Sequence, residues 1–293
     1  MPQPVILVTG ANGQLGMEIR SLSVLYPAFR FAFSDREDLP IHSFEKVQQY
    51  FEKVLPSFCI NCAAYTAVDK AETEKEMAML VNGEAVGVLA TVCKSFDTKF
   101  IHISTDYVFD GSATVPYRED HIPDPVNYYG ATKLSGEERC FENNSDGMVI
   151  RTSWVYSEYG NNFVKTMIRL MKERNSLNVV NDQLGSPTYA ADLARLILTI
   201  VEESHSATKK WLPGIYHFSN EGVISWYDFA VAIKNLTQSA CVVNPVPSSM
   251  YPTAAKRPAY SVFNKEKIKT AYPQVQYKEW MTSLSEAIER LQP

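Results

Sequence analysis

The stretch Val5-Ile-Leu-Val-Thr9-Gly10-Ala-Asn-Gly13-Gln-Leu-Gly16 decides how the rest of the chain is read. Val5 to Thr9 is a short apolar run that reads as a buried strand, and a helical pattern follows the glycines to about Leu25. Gly10, Gly13 and Gly16 leave three positions without a side chain where strand turns into helix. An anion can approach the backbone there and rest against the helix N-terminus, whose free N–H groups and dipole favour negative charge. Strand, glycine turn and helix in that order predict the opening of a dinucleotide-binding unit.

Outward from this unit, strands and helices alternate. Strands are expected at Phe29 to Phe33, Phe58 to Asn61, Lys99 to Ser104 and Met148 to Thr152. Helices are expected at Glu45 to Val54, Glu72 to Lys94 and Tyr129 to Phe141. This order predicts an α/β fold with a doubly wound parallel sheet of the Rossmann type. Beyond Tyr156 the pattern is mixed. Helices are expected at Asn162 to Glu173, Ala190 to Glu203, Ser225 (as N-cap) to Leu236 and Lys278 to Leu291. Strands are expected at Asn178 to Asn181 and Ile215 to Ser219, and a Pro- and Ser-rich loop at Pro245 to Pro258. We therefore expect residues 1–156 as the dinucleotide-binding domain, with 177–222 returning to it. Residues 157–176 and 223–293 are expected to form a smaller C-terminal substrate-binding lobe.

Composition narrows the function. Apolar residues make up 45% and charged residues 21%, so a sizeable core is expected and disorder is not. The formal charge of -5 argues against nucleic acid or an anionic membrane as partner. No run reaches the ~18 consecutive apolar residues of a membrane helix. The opening Met1-Pro2-Gln3-Pro4-Val5 lacks a charged region followed by an apolar one, so no secretory signal is expected. Five scattered cysteines (Cys59, Cys62, Cys93, Cys140, Cys241) suit reduced thiols in the cytoplasm. Cys59 and Cys62 have the spacing of a redox or zinc pair, but they lie in an apolar strand without a second pair and are read as structural. The histidines form no ligand cluster, so no metal is expected, and His102 inside a strand reads as structural.

Tyr129-Gly-Ala-Thr-Lys133 carries the chemistry. Four residues apart at a helix start, the phenol and the ammonium share one face. A free tyrosine has a pKa near ~10 and gives up its proton reluctantly at neutral pH. An ammonium at ~4 Å contributes about 4 kcal/mol at an effective dielectric near ~20. That is enough to lower the phenol pKa by roughly three, at about 1.4 kcal/mol per unit. Thr105, in Ser104-Thr-Asp-Tyr-Val-Phe109, follows the fourth strand at its carboxyl end, where ligands of such sheets sit. Its hydroxyl is placed to hydrogen-bond a substrate oxygen beside Tyr129. For the cofactor, Asp35 lies about 20 residues beyond Gly16, where an acid binds a ribose and favours NAD. Arg36 beside it suits a 2'-phosphate and favours NADP. Both cofactors stay open.

The glycine spacing is G-x-x-G-x-x-G, the short-chain dehydrogenase form. Together with Asn61-Cys-Ala-Ala-Tyr-Thr-Ala-Val-Asp-Lys70, the Ser104 to Phe109 and Tyr129 to Leu134 motifs, and Arg151-Thr-Ser-Trp-Val-Tyr156, it makes the chain resemble the dTDP-4-dehydrorhamnose reductases, which are extended short-chain dehydrogenases. Gly160-Asn-Asn-Phe163, Asp182-Gln-Leu-Gly-Ser-Pro-Thr188 and Arg257-Pro258 extend the likeness over nearly the whole chain. The resemblance implies NADPH- or NADH-dependent reduction of the 4-keto group of dTDP-4-dehydro-L-rhamnose, and it leans toward NADPH. By motif, Gly13, Gln14 and Leu15 would line the cofactor diphosphate, and Ala63, Ala64 and Tyr65 would lie along the cofactor. Lys133 would also bond the nicotinamide ribose. Thr105, Asp106 and Trp154 would face the sugar nucleotide, with Arg257 on its diphosphate.

Two positions depart from the family pattern. Pro40 stands where many relatives carry an acid. Ala191 stands near where some relatives place a metal-bridging carboxylate, with Asp192 adjacent, so the expected state is a monomer or a homodimer without metal. Two other readings compete. A different sugar-nucleotide epimerase or dehydratase would want further acid–base groups, which are not found beside Thr105-Asp106. A nonenzymatic dinucleotide-binding regulatory subunit, like that of methionine adenosyltransferase, would not need Thr105, Tyr129 and Lys133 together.

Overall fold

Six short apolar runs become the parallel strands of one sheet: β1 (Val5–Thr9), β2 (Arg30–Ser34), β3 (Phe58–Asn61), β4 (Lys99–Thr105), β5 (Met148–Thr152) and β6 (Gly214–His217). The computed structural model describes residues 3–206 and 208–291. Met1 and Pro2, used above in the reading of the N-terminus, lie outside the described residues, as do the last two residues of the expected 223–293 lobe. The sheet order is β6-β5-β4-β3-β1-β2. The chain runs outward from β1 to β2 and then returns past β1 to β3, so the direction of winding reverses between β1 and β3. In sheets of this kind such a reversal marks the ligand crevice, at the carboxyl ends of those strands.

Both faces of the sheet are covered, which is why its strands are apolar throughout rather than alternating. On one face Ile6, Val8, Ile60, Ile101 and Ile150 pack with Leu15 and Ile19 of α1 (Gln14–Leu22) and with the helix Ala190–His205. On the other, Leu7, Cys59, Phe100 and Val149 meet α2 (Phe44–Val54), α3 (Lys75–Ser95) and α4 (Tyr128–Asn143). α3 is long and apolar enough to cross a bilayer, but the buried residues Val86, Leu89, Ala90 and Cys93 are spent on the sheet. Where one helix was expected over Glu72 to Lys94, a short helix at Val68–Ala71 precedes α3, and Leu80–Glu84 within α3 forms a π-helical turn.

A third core lies beside the sheet. It is built by α5 (Phe163–Glu173), α6 (Ala190–His205), α7 (Trp226–Leu236) and α8 (Trp280–Leu291), with Met167, Phe229, Ile233 and Leu284 among its buried members. Ser225 caps α7 in a full capping box with Asp228. The strand Ser176–Val180 pairs in parallel with Val242–Val246 and so sides with this core. Pro245 therefore sits in a strand rather than opening a loop. It is tolerated there because the pair has only two strands and Pro removes a donor only on an edge.

The two cores meet at a carboxyl pair. Glu18 on α1 is 1% exposed, accepts the Ser157 hydroxyl at 2.7 Å and faces Glu158, whose Oε1 accepts the Tyr189 hydroxyl at 2.5 Å. Burial, and the neighbouring Glu158, push the Glu18 carboxyl up to about 8. An acid whose pKa is higher in the fold than in the unfolded chain binds more protons when folded. Its contribution to stability therefore fades as pH rises from the unfolded value near ~4.3 through about 8. Thermal melts of the wild type should lose a few degrees over that window relative to Glu18→Gln. Parallel pH dependences of the two proteins would contradict the assignment.

Candidate active site

The glycine loop forms the cradle that its sequence predicts. Gly10 has a φ of +64°, and a Cβ there would sit 2.5 Å from the Ala63 amide nitrogen. A Cβ on Gly16 would stand 2.6 Å from the Gly10 carbonyl oxygen. These glycines thus allow β1, α1 and the segment after β3 to crowd together. Gly13 is the N-cap of α1 and offers no side-chain cap, so the first-turn amides point into the crevice mouth without a competing acceptor. This open, side-chain-free helix start fits a dinucleotide diphosphate. Leu15 buries its side chain in the core, leaving only its backbone for such a ligand. Gln14 accepts a hydrogen bond from Asn162 at 3.0 Å, which ties the segment before α5 to the loop.

Asp35 ends the crevice beyond β2. Its Oδ1 accepts the amides of Glu37 and Asp38 at 2.8 and 3.1 Å, and its Oδ2 accepts Asn12 Nδ2 at 2.8 Å. These backbone bonds hold its pKa below the usual carboxylate range. Arg36 is exposed beside it. Across the crevice, Ala63 donates its amide to Asn61 Oδ1, and the Tyr65 backbone is clamped by Asn82: its N–H donates to Oδ1 at 2.8 Å and its carbonyl accepts Nδ2 at 3.0 Å. Asn82 comes from the π-helical turn of α3 and also donates to Thr132 on α4 at 3.1 Å. Sequence reading missed Asn82. Its one signal was a polar residue inside an apolar helical pattern.

Thr105, Tyr129 and Lys133 converge at the carboxyl end of β4. Asn127 caps α4 by accepting the Gly130 amide at 2.8 Å. A Cβ on Gly130 would lie 2.1 Å from the Tyr107 carbonyl, so glycine is what lets α4 close onto the 3-10 turn Asp106–Val108. Tyr107 packs edge-on against Tyr129, centroids 5.6 Å apart. Lys133 is 2% exposed; its Nζ donates to the Ile103 carbonyl at 2.7 Å and lies 3.3 Å from His102 Nε2.

Here the sequence-based expectation needs correction. An acidified phenol was expected, but burial pushes Tyr129 up to about 12, the Thr105 side chain draws it down and the Asp106 charge pushes it up again. Lys133 moves the other way, down to about 8, because burial outweighs the attraction of Glu137. The lysine is anchored on β4 rather than spent on the phenol, so acidification is not a property of the free fold. Glu137, one turn beyond Lys133, is itself buried in a 2.6 Å ion pair with Arg151 and accepts the Ser104 hydroxyl at 2.5 Å. Sequence reading had given neither Glu137 nor Arg151 a role.

Three expected substrate residues are arranged differently from one another. Asp106 is 2% exposed, accepts the Thr105 hydroxyl at 3.0 Å, and has one carboxylate oxygen with no partner among the described residues. Burial raises it to about 6, against the opposing pull of the nearby Ser261 and Thr105 side chains. Trp154 sits at φ +49°, a strained conformation for a bulky residue, and stacks on Trp226 at 3.6 Å. Arg257 is not free: it makes a bidentate pair with Asp69 at 3.0 and 2.8 Å. Asp192, next to Ala191, is buried and bonded internally to Asn220, Ser283 and Arg195.

A parallel sheet with a glycine cradle at its winding reversal and a buried Tyr–Lys helix face defines a dinucleotide-binding oxidoreductase of the short-chain dehydrogenase class. The chain belongs to the dTDP-4-dehydrorhamnose reductase family: the family model described as RmlD substrate binding domain matches residues 4–292. A dTDP-4-dehydrorhamnose reductase of Aggregatibacter actinomycetemcomitans is 40% identical over 286 residues, covering 95% of this chain and 96% of the relative. Among solved structures, a dTDP-4-dehydrorhamnose reductase of Clostridium acetobutylicum aligns with a TM-score of 0.92 at 40% identity, over 99% of this chain and 100% of its own. A dTDP-4-dehydrorhamnose reductase of Bacillus anthracis, in complex with NADP, has a TM-score of 0.92 at 38% identity, over 99% of this chain and 100% of its own.

The cradle geometry separates two glycine substitutions. Gly13→Ala meets only the Gly10 carbonyl, at 3.2 Å, and should fold with a near-native Tm while losing about tenfold or more in dinucleotide affinity. Gly16→Ala collides with backbone and should melt well below the wild type. Equal melting temperatures, or undiminished affinity in Gly13→Ala, would contradict the reading of the loop.

Proposed function

We propose that the chain reduces the 4-keto group of dTDP-4-dehydro-L-rhamnose to dTDP-L-rhamnose, with NADPH or NADH as reductant and Tyr129 as proton donor. The observation that carries this reading is the meeting of Thr105, Tyr129 and Lys133 at the carboxyl edge of β4, beside the glycine cradle. When bound, the nicotinamide supplies the hydride for the sugar C4. The protein's part is to bind, to orient and to deliver one proton.

Burial keeps the Tyr129 phenol protonated at neutral pH, so it is loaded as an acid, and it yields its proton only when an oxygen acquires negative charge beside it. Thr105 fixes that oxygen with its hydroxyl, and a charged Lys133 offsets the phenolate left behind. Asp106, which gives up the Thr105 hydroxyl to the substrate oxygen, offers its unpartnered oxygen to a sugar hydroxyl. Trp154 presents a flat apolar wall braced by Trp226. Arg257 takes the substrate diphosphate by exchanging its carboxylate partner Asp69 for phosphate oxygens of the same bidentate geometry. Residues 157–176 and 223–293 form the sugar-binding side, joined in the third core by Leu177, Val179, Tyr189 and Ala191; of the expected returning segment 177–222, the strand Gly214–His217 pairs with the sheet. The ligand is a small sugar nucleotide, not nucleic acid or membrane.

Asp35 spends its carboxylate on a turn, which leaves exposed Arg36 as the group for a 2'-phosphate and favours NADPH. Tyr129→Phe should lower reduction by ~10²–10⁴-fold, with dinucleotide affinity by fluorescence titration nearly unchanged. Full turnover in that variant would remove Tyr129 from the chemistry. Arg36→Ala should weaken NADPH about tenfold more than NADH, read from the KM of each; equal losses would reject the phosphate role.

A further inference from the structure

Lys133 ends a line of buried polar groups. Thr9, Asn61 and His102 are register partners on β1, β3 and β4, and each is at most 1% exposed. Out of water, donors and acceptors along such a line must match one to one. The sequence of bonds can be read from its one unambiguous donor, a backbone amide. Ala63 N–H donates to Asn61 Oδ1 at 3.2 Å, and the Thr9 hydroxyl donates to the same oxygen at 2.7 Å. That fixes the orientation of the Asn61 amide, so its NH₂ group faces His102 Nδ1 at 3.0 Å.

An amide NH₂ has no lone pair to give, so Nδ1 must be an acceptor and carries no proton. Burial alone is enough to hold the ring neutral, and any charge on Lys133 acts in the same direction. Its proton is therefore on Nε2, aimed at Lys133 Nζ 3.3 Å away. An ammonium has only donors and would meet that N–H head on. A neutral amine has one lone pair, which accepts Nε2–H, while one of its own hydrogens goes to the Ile103 carbonyl at 2.7 Å.

We propose that His102, with its tautomer set by Asn61 and Thr9, is a positioning residue that disfavours the charged form of Lys133 in the free protein, so that the lysine gives up its proton more readily than an exposed one. The other groups around the lysine do not reverse this. Glu137 on α4 attracts a proton to it but is already answered by Arg151 on β5, and Ser104 of β4 is spent on Glu137. Tyr129 on α4 is a neutral phenol, and α3 contributes the uncharged Asn82 by way of Thr132. The direction agrees with the depressed lysine, at about 8. Charging Lys133 then becomes a separate protonation step that sets the alkaline limit of the reaction. That last consequence rests on the proposed function; the tautomer does not.

The test is ¹⁵N–¹H correlation of the ligand-free protein labelled in its histidine rings. The His102 ring is assigned by loss of its signal in His102→Gln, or by elimination of His42, His121, His205 and His217 if that variant does not fold. The expected result is an unprotonated Nδ1 and a protonated Nε2 at neutral and mildly alkaline pH. A proton on Nδ1 would overturn the proposal. As a second readout, His102→Gln lets an amide oxygen face the ammonium, and Asn61→Asp places an acceptor opposite Nδ1 and reverses the tautomer. Either should move the alkaline limb of kcat/KM upward by about one pH unit. A limb unmoved in both would also overturn it. Full activity of Tyr129→Phe would defeat the proposed function while leaving the ring spectrum as expected, so the two failures are distinguishable.

Discussion

Lys133 cannot be left unbonded. Its Nζ is cut off from water, and a desolvated nitrogen costs several kcal/mol unless the fold answers it. The Ile103 carbonyl and the His102 ring supply that answer from β4, which pins α4 against the sheet at one angle and one height. Tyr129, one turn earlier on the same face, then has no choice of position: it lies against Tyr107 and beside Thr105 at the strand's end. The requirement to satisfy one buried nitrogen therefore also places the phenol.

The same edge of the sheet gathers everything else. Because all six strands are parallel, their carboxyl ends lie together, and each contributes a polar residue where its apolar run stops: Thr9, Ser34, Asn61, Thr105, Thr152 and His217. The winding reversal between β1 and β3 opens the crevice, and the glycines keep side chains out of it. Across the mouth, Asp69 just beyond β3 grips Arg257 and the Ala255 amide, so the loop from the third core is held over the site by charge rather than by apolar packing. A contact of that kind can be exchanged for another anion at small cost, which a hydrophobic seal could not.

Much of this was legible in the sequence. The six sheet strands fall within a residue or two of the apolar runs that predicted them, because strands buried on both faces must be apolar throughout. Thr105, Tyr129 and Lys133 were readable as a set because their spacing and order are local properties. What was not legible depends on contacts between distant segments. The π-helical turn at Leu80–Glu84 is invisible in a helical pattern, yet it aims Asn82 at Tyr65. His102 read as an inert core residue because nothing in the sequence places it under Lys133. The pairing of Ser176–Val180 with Val242–Val246 joins segments more than sixty residues apart, and Pro245 masked the second strand. The phenol's acidity was misjudged for a related reason: spacing gives proximity on a helix, but it does not say which partner the ammonium prefers.

The central claim is that this edge delivers a hydride to one carbon and a proton to the oxygen on it. Its most direct test is isotope tracing with the 4-keto-6-deoxy sugar nucleotide, supplied with its 3,5-epimerase, and reductant deuterated at the nicotinamide C4. The account predicts one deuterium at C4 of the product sugar, one equivalent of reductant consumed, and no solvent hydrogen at that carbon. Solvent hydrogen at C4, or product formed without net consumption of the reductant, would contradict it.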